Sequence, residues 1–143
     1  SACLVGSEMC IRDSYMLHLN TSNKMAEHNK LGKLGEELAV AFLKENGYKI
    51  VETNFVFQKA EIDIIAQKDN LIVVVEVKTR SSFDFGLPQD FVTPKKIQLL
   101  VKAVDAYIIS NDLDGDIRFD IIAIFNNENK FEVEHITDAF YHF

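Results

Sequence analysis

The sequence has little cysteine and no long apolar run, and both absences restrict what the protein can be. Its two cysteines, Cys3 and Cys10, lie near the start of the chain. The rest of the sequence therefore has no thiol for catalysis and fits a reducing compartment, so we expect a cytoplasmic protein. No apolar stretch approaches the roughly 18 residues that a membrane-spanning helix needs, and we expect no membrane association.

Positive charge is also scarce. The chain carries 15 lysine and arginine residues against 22 aspartate and glutamate residues, which gives a net charge of −7 at pH 7. An acidic surface argues against a protein that is held to nucleic acid by bulk charge alone. A length of 143 residues with 48% apolar residues is typical of one globular domain with its own core.

The first 24 residues differ from the rest of the chain. They show neither a helical nor an alternating period, and they lack the basic start and long apolar centre of a secretory signal. The stretch VGSEMCIRDS within them resembles a translated sequencing adapter, and Met25 follows as a candidate start. We predict that residues 1–24 are a disordered or non-native extension and that residues 25–143 form a single domain.

Two segments have the period of amphipathic helices. The first ends before Gly47, and its apolar stripe consists of Leu31, Leu34, Leu38, Ala41 and Phe42. The second spans residues 93–110, where Thr93 is a suitable N-cap and Pro94 suits the first helical position. The apolar stripe of this second helix consists of Ile97, Leu100, Val101, Val104 and Ile108.

Five segments have the composition of strands, and their order with the helices indicates the fold class. The segments are residues 48–57, 60–67, 71–80, 117–125 and 130–136. Residues 79–92 contain glycine, proline and polar residues, which predicts a loop. The order α-β-β-β-α-β-β indicates an α/β fold with a central mixed sheet flanked by helices.

The second strand alternates between apolar and polar residues. This pattern predicts one face with Ile62, Ile64 and Ala66, and another face with Glu61, Asp63 and Ile65.

A hairpin is predicted between the second and third strands, with its turn at residues 69–70. If Lys68 pairs with Leu71, Asp63 lies directly opposite Glu76, because the side-chain period along each strand is two. Cβ atoms of such cross-strand neighbours are roughly 4.5–5.5 Å apart.

The same register places Glu61 opposite Lys78, on the face that carries Asp63 and Glu76. Two adjacent carboxylates repel each other, and a bound divalent cation, a raised carboxyl pKa or the Lys78 ammonium would offset the repulsion. A hard cation such as Mg²⁺ would use these carboxylates and would leave positions for water and phosphate oxygens. A surface ladder of salt bridges among the four side chains is the alternative.

Other charged residues give weaker evidence for a site in the same region. Lys95 and Lys96 occupy the first turn of the second helix, where the helix dipole disfavours cations. A phosphate bound at the helix N-terminus would explain them, and two solvated lysines are the alternative. Glu36 on the first helix would either bring a third carboxylate to the site or remain solvated.

The remaining polar candidates give no second site. Arg118 and Asp120 share a strand face and are expected to pair with each other. His28, His135 and His142 are scattered, without the spacing of metal ligands.

Seven short motifs occur in a fixed order along residues 30–143. They are GEELA (35–39), NGY (46–48), EIDIIA (61–66), VEVKTR (75–80), FG (85–86), TPKK (93–96) and RFD (118–120). An acidic residue on one strand with Glu-x-Lys on the next resembles the PD-(D/E)XK nuclease superfamily. The whole set resembles the YraN-like family of small bacterial proteins within that superfamily.

This resemblance implies a restriction-endonuclease-like fold with an αβββαβ core. It implies that Asp63 and Glu76 bind the metal ion and that Lys78 is the catalytic lysine. Glu36 corresponds to the glutamate on the first helix of Holliday-junction resolvases, and Lys96 matches the family's lysine at the start of the second helix.

The function implied is that of an Mg²⁺- or Mn²⁺-dependent endonuclease acting on branched or structured DNA. The Val77 carbonyl would be a further metal ligand, and Arg80, Lys95 and Lys96 would contact the nucleic acid. Resolvase-like relatives act as dimers, so the resemblance also implies a homodimer. The alternative is a nucleic-acid-binding or protein-assembly module with little catalysis. One departure from the family pattern is Ala60, where the family usually has glycine.

Overall fold

A computed structural model describes residues 24–80, 92–128 and 130–139. These residues form two helices and five strands in the predicted order α-β-β-β-α-β-β. The elements are α1 (Lys24–Glu45), β1 (Lys49–Phe57), β2 (Ala60–Lys68), β3 (Leu71–Arg80), α2 (Pro94–Ser110), β4 (Asp116–Asn127) and β5 (Lys130–Ile136).

The five strands form one mixed sheet, as predicted. Their order is β1-β2-β3-β4-β5, so β3 is central. Strands β3 and β4 are parallel, whereas the other neighbouring pairs are antiparallel. Parallel neighbours cannot be joined by a tight turn, and α2 lies in the connection between β3 and β4.

The two helices cover opposite faces of this sheet. Ile72 of β3 packs in the core cluster that includes Leu100 of α2, whereas Val73 packs in the cluster that includes Leu38 of α1. Successive side chains of a strand point to opposite faces, so both faces of β3 are buried. This explains the unbroken apolar run at the start of β3. The three-layer α/β arrangement matches the expected restriction-endonuclease-like core.

The sequence signals of α2 are confirmed. The Thr93 hydroxyl accepts a hydrogen bond from the Lys96 backbone N–H at 3.2 Å, and Pro94 is the first helical residue. Leu100 and Val104 are buried, and the other three residues of the predicted stripe are half-buried against the same core. Tyr107 is also buried, although the prediction did not include it.

The apolar stripe of α1 is correct except at one position. Ala41 belongs to neither core cluster, whereas Ala39 and Leu43 are fully buried beside Leu38. The short side chain of Ala41 is half-buried at the margin of the buried face of the helix. At this position, apolar character alone did not predict burial in the core.

The predicted alternation of β2 is wrong at Asp63. Ile62 packs in the core on the α2 face, whereas Ile64 packs on the α1 face. Asp63 and Asn54 both lack a partner in the β1–β2 ladder, which pairs Thr53 with Ile64 and Phe55 with Ile62. Asn54 has a left-handed backbone with φ of 53°. Such an interruption changes the side-chain phase of both strands.

The predicted loop starts too early. Strand β3 continues through Arg80, which pairs with Phe125 of β4, because the parallel ladder satisfies the backbone groups of Thr79 and Arg80. The rest of that loop up to residue 91 lies outside the described residues, as do residues 1–23 of the predicted extension. The single domain over residues 25–143 stays a prediction. Of the helices described, neither has the length and apolarity required to cross a bilayer.

A buried polar cluster ties β4 to β5 and to the turn that follows α1. Asp120 is fully buried and forms two hydrogen bonds with Arg118, at 2.8 and 2.7 Å. It also lies 2.7 Å from His135 Nε2 and accepts a hydrogen bond from the Asp138 backbone. Arg118 in turn donates to the Tyr48 hydroxyl. The predicted pairing of Arg118 with Asp120 is confirmed, but His135 and Tyr48 were not predicted to join it.

Hydrogen bonding decides the charge state of Asp120. Burial opposes ionisation, but hydrogen bonds from His135, Arg118 and the Asp138 backbone outweigh it, so the pKa of Asp120 lies below its ordinary value. The carboxylate is therefore a fixed negative charge that holds several elements together.

Replacing Asp120 tests this role. Asp120→Asn should lower the free energy of unfolding by about 3 kcal/mol at pH 7, because Arg118 loses its buried partner. A lowered pKa contributes stability above the unfolded value of about 3.9, and that contribution is lost as the pH falls. The difference should thus shrink below about pH 4. Urea unfolding measures it, with the exposed Asp116→Asn as control; equal effects of the two variants would contradict the role.

Candidate active site at the end of strand β3

The register of the β2–β3 hairpin is as predicted. Lys68 pairs with Leu71, and the ladder continues to the pair of Ile64 with Val75. The next positions in this register are Asp63 and Glu76, and the ladder stops there. The predicted pairing of Glu61 with Lys78 does not form in this ladder. The strands separate at Asp63, so side chains rather than backbone groups meet at this end of the sheet.

Asp63 is anchored to β3 by its carboxylate. Its Oδ2 accepts a hydrogen bond from the Val77 backbone N–H at 2.8 Å. The β2–β3 ladder does not use this N–H, so the Asp63 carboxylate replaces the β2 carbonyl that would accept from Val77 in a regular ladder. Burial and the nearby charge of Glu76 raise the pKa of Asp63 to about 7, against the opposing effect of the Val77 hydrogen bond.

Glu76 is buried and incompletely paired. Only 4% of its surface is exposed. Its Oε1 lies 3.0 Å from Lys78 Nζ and 2.5 Å from Lys96 Nζ. Its Oε2 is also buried, but it has no hydrogen-bond partner among the described residues. Because Glu76 is almost fully buried, it is not part of a ladder of exposed salt bridges. A buried carboxylate oxygen without a partner is unfavourable.

The two lysines at the start of α2 lie close to the candidate carboxylates. Lys96 contacts Glu76, so this carboxylate is the anion that explains a lysine in the first turn. Lys95 and Lys96 both line a cavity of about 400 Å³, whose walls also include Lys59, Glu61 and Asp63. The structure therefore brings both lysines to the cavity that Asp63 lines, and it brings Lys96 into contact with Glu76 as well.

A cavity of about 330 Å³ brings the other candidates together. Its walls include the four predicted catalytic residues, the predicted further metal ligand and Arg80; in chain order they are Glu36, Asp63, Glu76, Val77, Lys78 and Arg80. The remaining walls are formed by His28, Leu31, Gly32 and Thr79.

Glu36 faces this cavity from α1. Burial raises the pKa of Glu36, and the charges of Glu61, Glu76 and Glu37 act in the same direction, against a hydrogen bond from Asn54. Asn54 was missed in the sequence. Its signal was an asparagine within a strand-like segment, since asparagine adopts left-handed backbone more readily than most residues.

The donor set fits a hard divalent cation. Asp63 and Glu76 provide two carboxylates, and Glu76 Oε2 has no hydrogen-bond partner within the described structure. No group of three His, Cys, Asp or Glu side chains in the described ranges could hold a metal ion. Mg²⁺ commonly uses one or two carboxylates and fills its other positions with water and phosphate oxygens, so two carboxylates suffice.

Comparison with known proteins identifies the family. A model described as "Uncharacterised protein family UPF0102" matches residues 35–124, which include Glu36, Asp63, Glu76 and Lys78. The chain belongs to the UPF0102 family. This confirms the resemblance to YraN-like proteins.

Relatives within UPF0102 match nearly their whole length. A UPF0102 protein of Flavobacterium psychrophilum is 70% identical over 119 residues, which cover 83% of this chain and 100% of the relative. A UPF0102 protein of Bacteroides fragilis is 49% identical over 117 residues, which cover 82% of this chain and 97% of the relative.

The pKa of Asp63 predicts how stability depends on pH in this UPF0102 protein. An acid whose pKa is raised in the folded state contributes stability at low pH, and this contribution is lost as the pH rises through about 7. Asp63→Asn removes the charge but keeps an oxygen that can accept from Val77. At pH 8 without metal, Asp63→Asn should therefore be more stable than the wild type by about 1 kcal/mol or more.

Urea unfolding at pH 8 and pH 5 measures this difference, which should narrow at pH 5. The exposed Asp105→Asn on α2 serves as control and should show no such dependence. If Asp63→Asn were less stable than the wild type at pH 8, burial and the charge of Glu76 would not destabilise the ionised Asp63 carboxylate.

Proposed function

We propose that the protein is a metal-dependent endonuclease that hydrolyses phosphodiester bonds in DNA. The observation that carries this proposal is the buried Oε2 of Glu76, which has no hydrogen-bond partner among the described residues and lies beside Asp63, whose pKa is raised to about 7. Buried negative charge at the end of a strand destabilises the folded state, so folding does not explain it. Carboxyl groups with shifted pKa values in a cavity are typical of functional sites.

The carboxylates and the β3 backbone have separate roles in this proposal. Asp63, Glu76 and the Val77 carbonyl would hold Mg²⁺ or Mn²⁺. When bound, such an ion stabilises negative charge on a phosphoryl group and lowers the pKa of water. The Val77 N–H fixes Asp63 in place, so the two carboxylates are oriented before any ligand arrives.

The lysines complement the carboxylates. Lys78 is fixed 3.0 Å from Glu76 Oε1, where its ammonium group can orient the attacking water or neutralise negative charge that develops on the phosphoryl oxygens. Lys96 shares the same oxygen. If Glu76 is drawn into metal ligation, one of the two ammonium groups becomes available for a phosphate oxygen.

The outer residues would bind the rest of the substrate. Glu36 would orient the first metal ion or help to hold a second one. Arg80 lies in the wall of the same cavity and Lys95 lines the cavity on the α2 side, and in this proposal both contact phosphates. By analogy with the family, the product would carry a 5′-phosphate and the enzyme would act as a homodimer on branched DNA. The lack of cysteine after Cys10 favours the cytoplasm as its compartment.

A nucleic-acid-binding module without efficient catalysis is the second candidate. Two ammonium groups already neutralise Glu76 Oε1, and this arrangement favours a site that binds phosphates without a metal ion. The two functions differ in their requirement for a cation, which separates them by experiment.

Cleavage assays test the nuclease directly. With Mg²⁺ or Mn²⁺, the wild type should cut junction, flap or single-stranded DNA, and Glu76→Gln and Lys78→Ala should each lower the rate by about 100-fold or more. Glu134→Gln, an exposed substitution on β5, should have no effect. Equal cleavage by all variants would reveal a contaminating nuclease, and metal-independent DNA binding without cleavage would favour the second candidate.

Metal binding is tested without nucleic acid. Adding Mn²⁺ should raise the melting temperature of the wild type, because a ligand that binds only the folded state stabilises it. The shift should be lost in Asp63→Asn and Glu76→Gln and retained in Asp105→Asn. A wild type that does not respond to Mn²⁺ or Mg²⁺ would count against the metal site.

A further inference from the structure

Helix α1 contains two glycines, and only one of them has a packing reason. A Cβ atom at Gly35 would overlap the hydroxyl of Thr79 on β3, so a glycine lets the helix approach the strand. A Cβ atom at Gly32 would meet no described atom within 4 Å. Glycine in a helix interior is less favourable than alanine. Within the described structure, therefore, nothing in the fold requires a glycine at position 32.

The space beside Gly32 is part of the candidate active site. Gly32 lines the cavity that contains Asp63 and Glu76. His28 and Glu36, one helical turn before and one turn after Gly32, line the same cavity, as expected for residues four apart on a helix. A side chain at position 32 would thus project between them, toward the end of β3.

We propose that Gly32 is a substrate-access residue, whose missing side chain leaves room for an unpaired nucleic-acid strand to reach Asp63 and Glu76. The inference rests on the proposed nuclease function and specifies its substrate. A cavity of about 330 Å³ is at the lower end of the size that holds a small molecule, so it admits one nucleotide of an unpaired strand and not a base pair. His28 is exposed at the edge of this cavity, where its ring can contact the strand.

Three variants separate access from folding. Gly32→Leu fills the space, Gly32→Ala fills it only in part, and Asn29→Leu adds the same side chain at an exposed position of α1 outside the cavity. None of them changes the net charge. The probes are Mn²⁺ alone and a single-stranded oligonucleotide, compared with the same sequence as a duplex.

The expected results differ between stability and activity. Both Gly32 variants should melt a few degrees higher than the wild type, because alanine and leucine favour a helix more than glycine does. Both should keep the melting shift caused by Mn²⁺, since a small ion still reaches the carboxylates. Gly32→Leu should cut and bind the single strand at least about 10-fold less well, and Asn29→Leu should behave as the wild type. The wild type should prefer the single strand to the duplex.

Other outcomes overturn the inference in distinguishable ways. If the wild type cuts DNA and Gly32→Leu cuts the single strand at the same rate, the access role is wrong and the nuclease proposal stands. The same conclusion follows if the wild type prefers the duplex. If Gly32→Ala melts lower than the wild type, or Gly32→Leu loses the Mn²⁺ shift, the glycine serves packing or the metal site. A wild type that neither binds nor cuts DNA would overturn the proposed function and the inference together.

Discussion

The hydrogen bond from the Val77 backbone to the Asp63 carboxylate is the constraint on which the candidate site depends. It forms where the β2–β3 ladder stops, at 2.8 Å. The carboxylate satisfies a backbone group that a regular ladder would have paired, so β2 can separate from β3 without leaving this partly buried donor unpaired. Asp63 is thereby held beside Glu76, and the separation of the strands makes room for a cavity at the end of the sheet.

The same hydrogen bond holds the Asp63 carboxyl group in a buried position beside Glu76, which lowers the stability of the folded protein. Asp63 is held where burial and Glu76 raise its pKa, and Glu76 keeps a buried oxygen without a partner among the described residues. In the Asp120 cluster, by contrast, the buried carboxylate stabilises the fold. Arg118, His135 and the Asp138 backbone all form hydrogen bonds with it. The contrast between the two clusters favours a ligand-binding role for the first.

Much of this arrangement follows from the sequence, because it depends on local signals. A two-residue turn after Lys68 fixes the hairpin register, and the Thr93 cap and following proline fix the start of α2. The contact between Lys96 and Glu76 could not be predicted in the same way, since it depends on how α2 lies across the sheet. The interruption at Asn54 and Asp63 was missed because alternation assumes regular pairing on both sides of a strand. The His135–Asp120 contact joins residues that no periodic pattern relates.

The acidic charge of the chain limits how such a site can work. A net charge of −7 opposes the approach of a polyanion, so bulk electrostatics cannot supply affinity for DNA. In the proposed nuclease, affinity for DNA would come from short-range contacts inside the cavity. Lys78 and Lys96 contact Glu76 there, and Arg80 lines the same cavity. A cation bound by the two carboxylates would convert the most negative part of the cleft into one that attracts phosphate. For an acidic protein, metal binding and phosphate binding are therefore expected to be coupled, with nucleic acid held only where the carboxylates are neutralised.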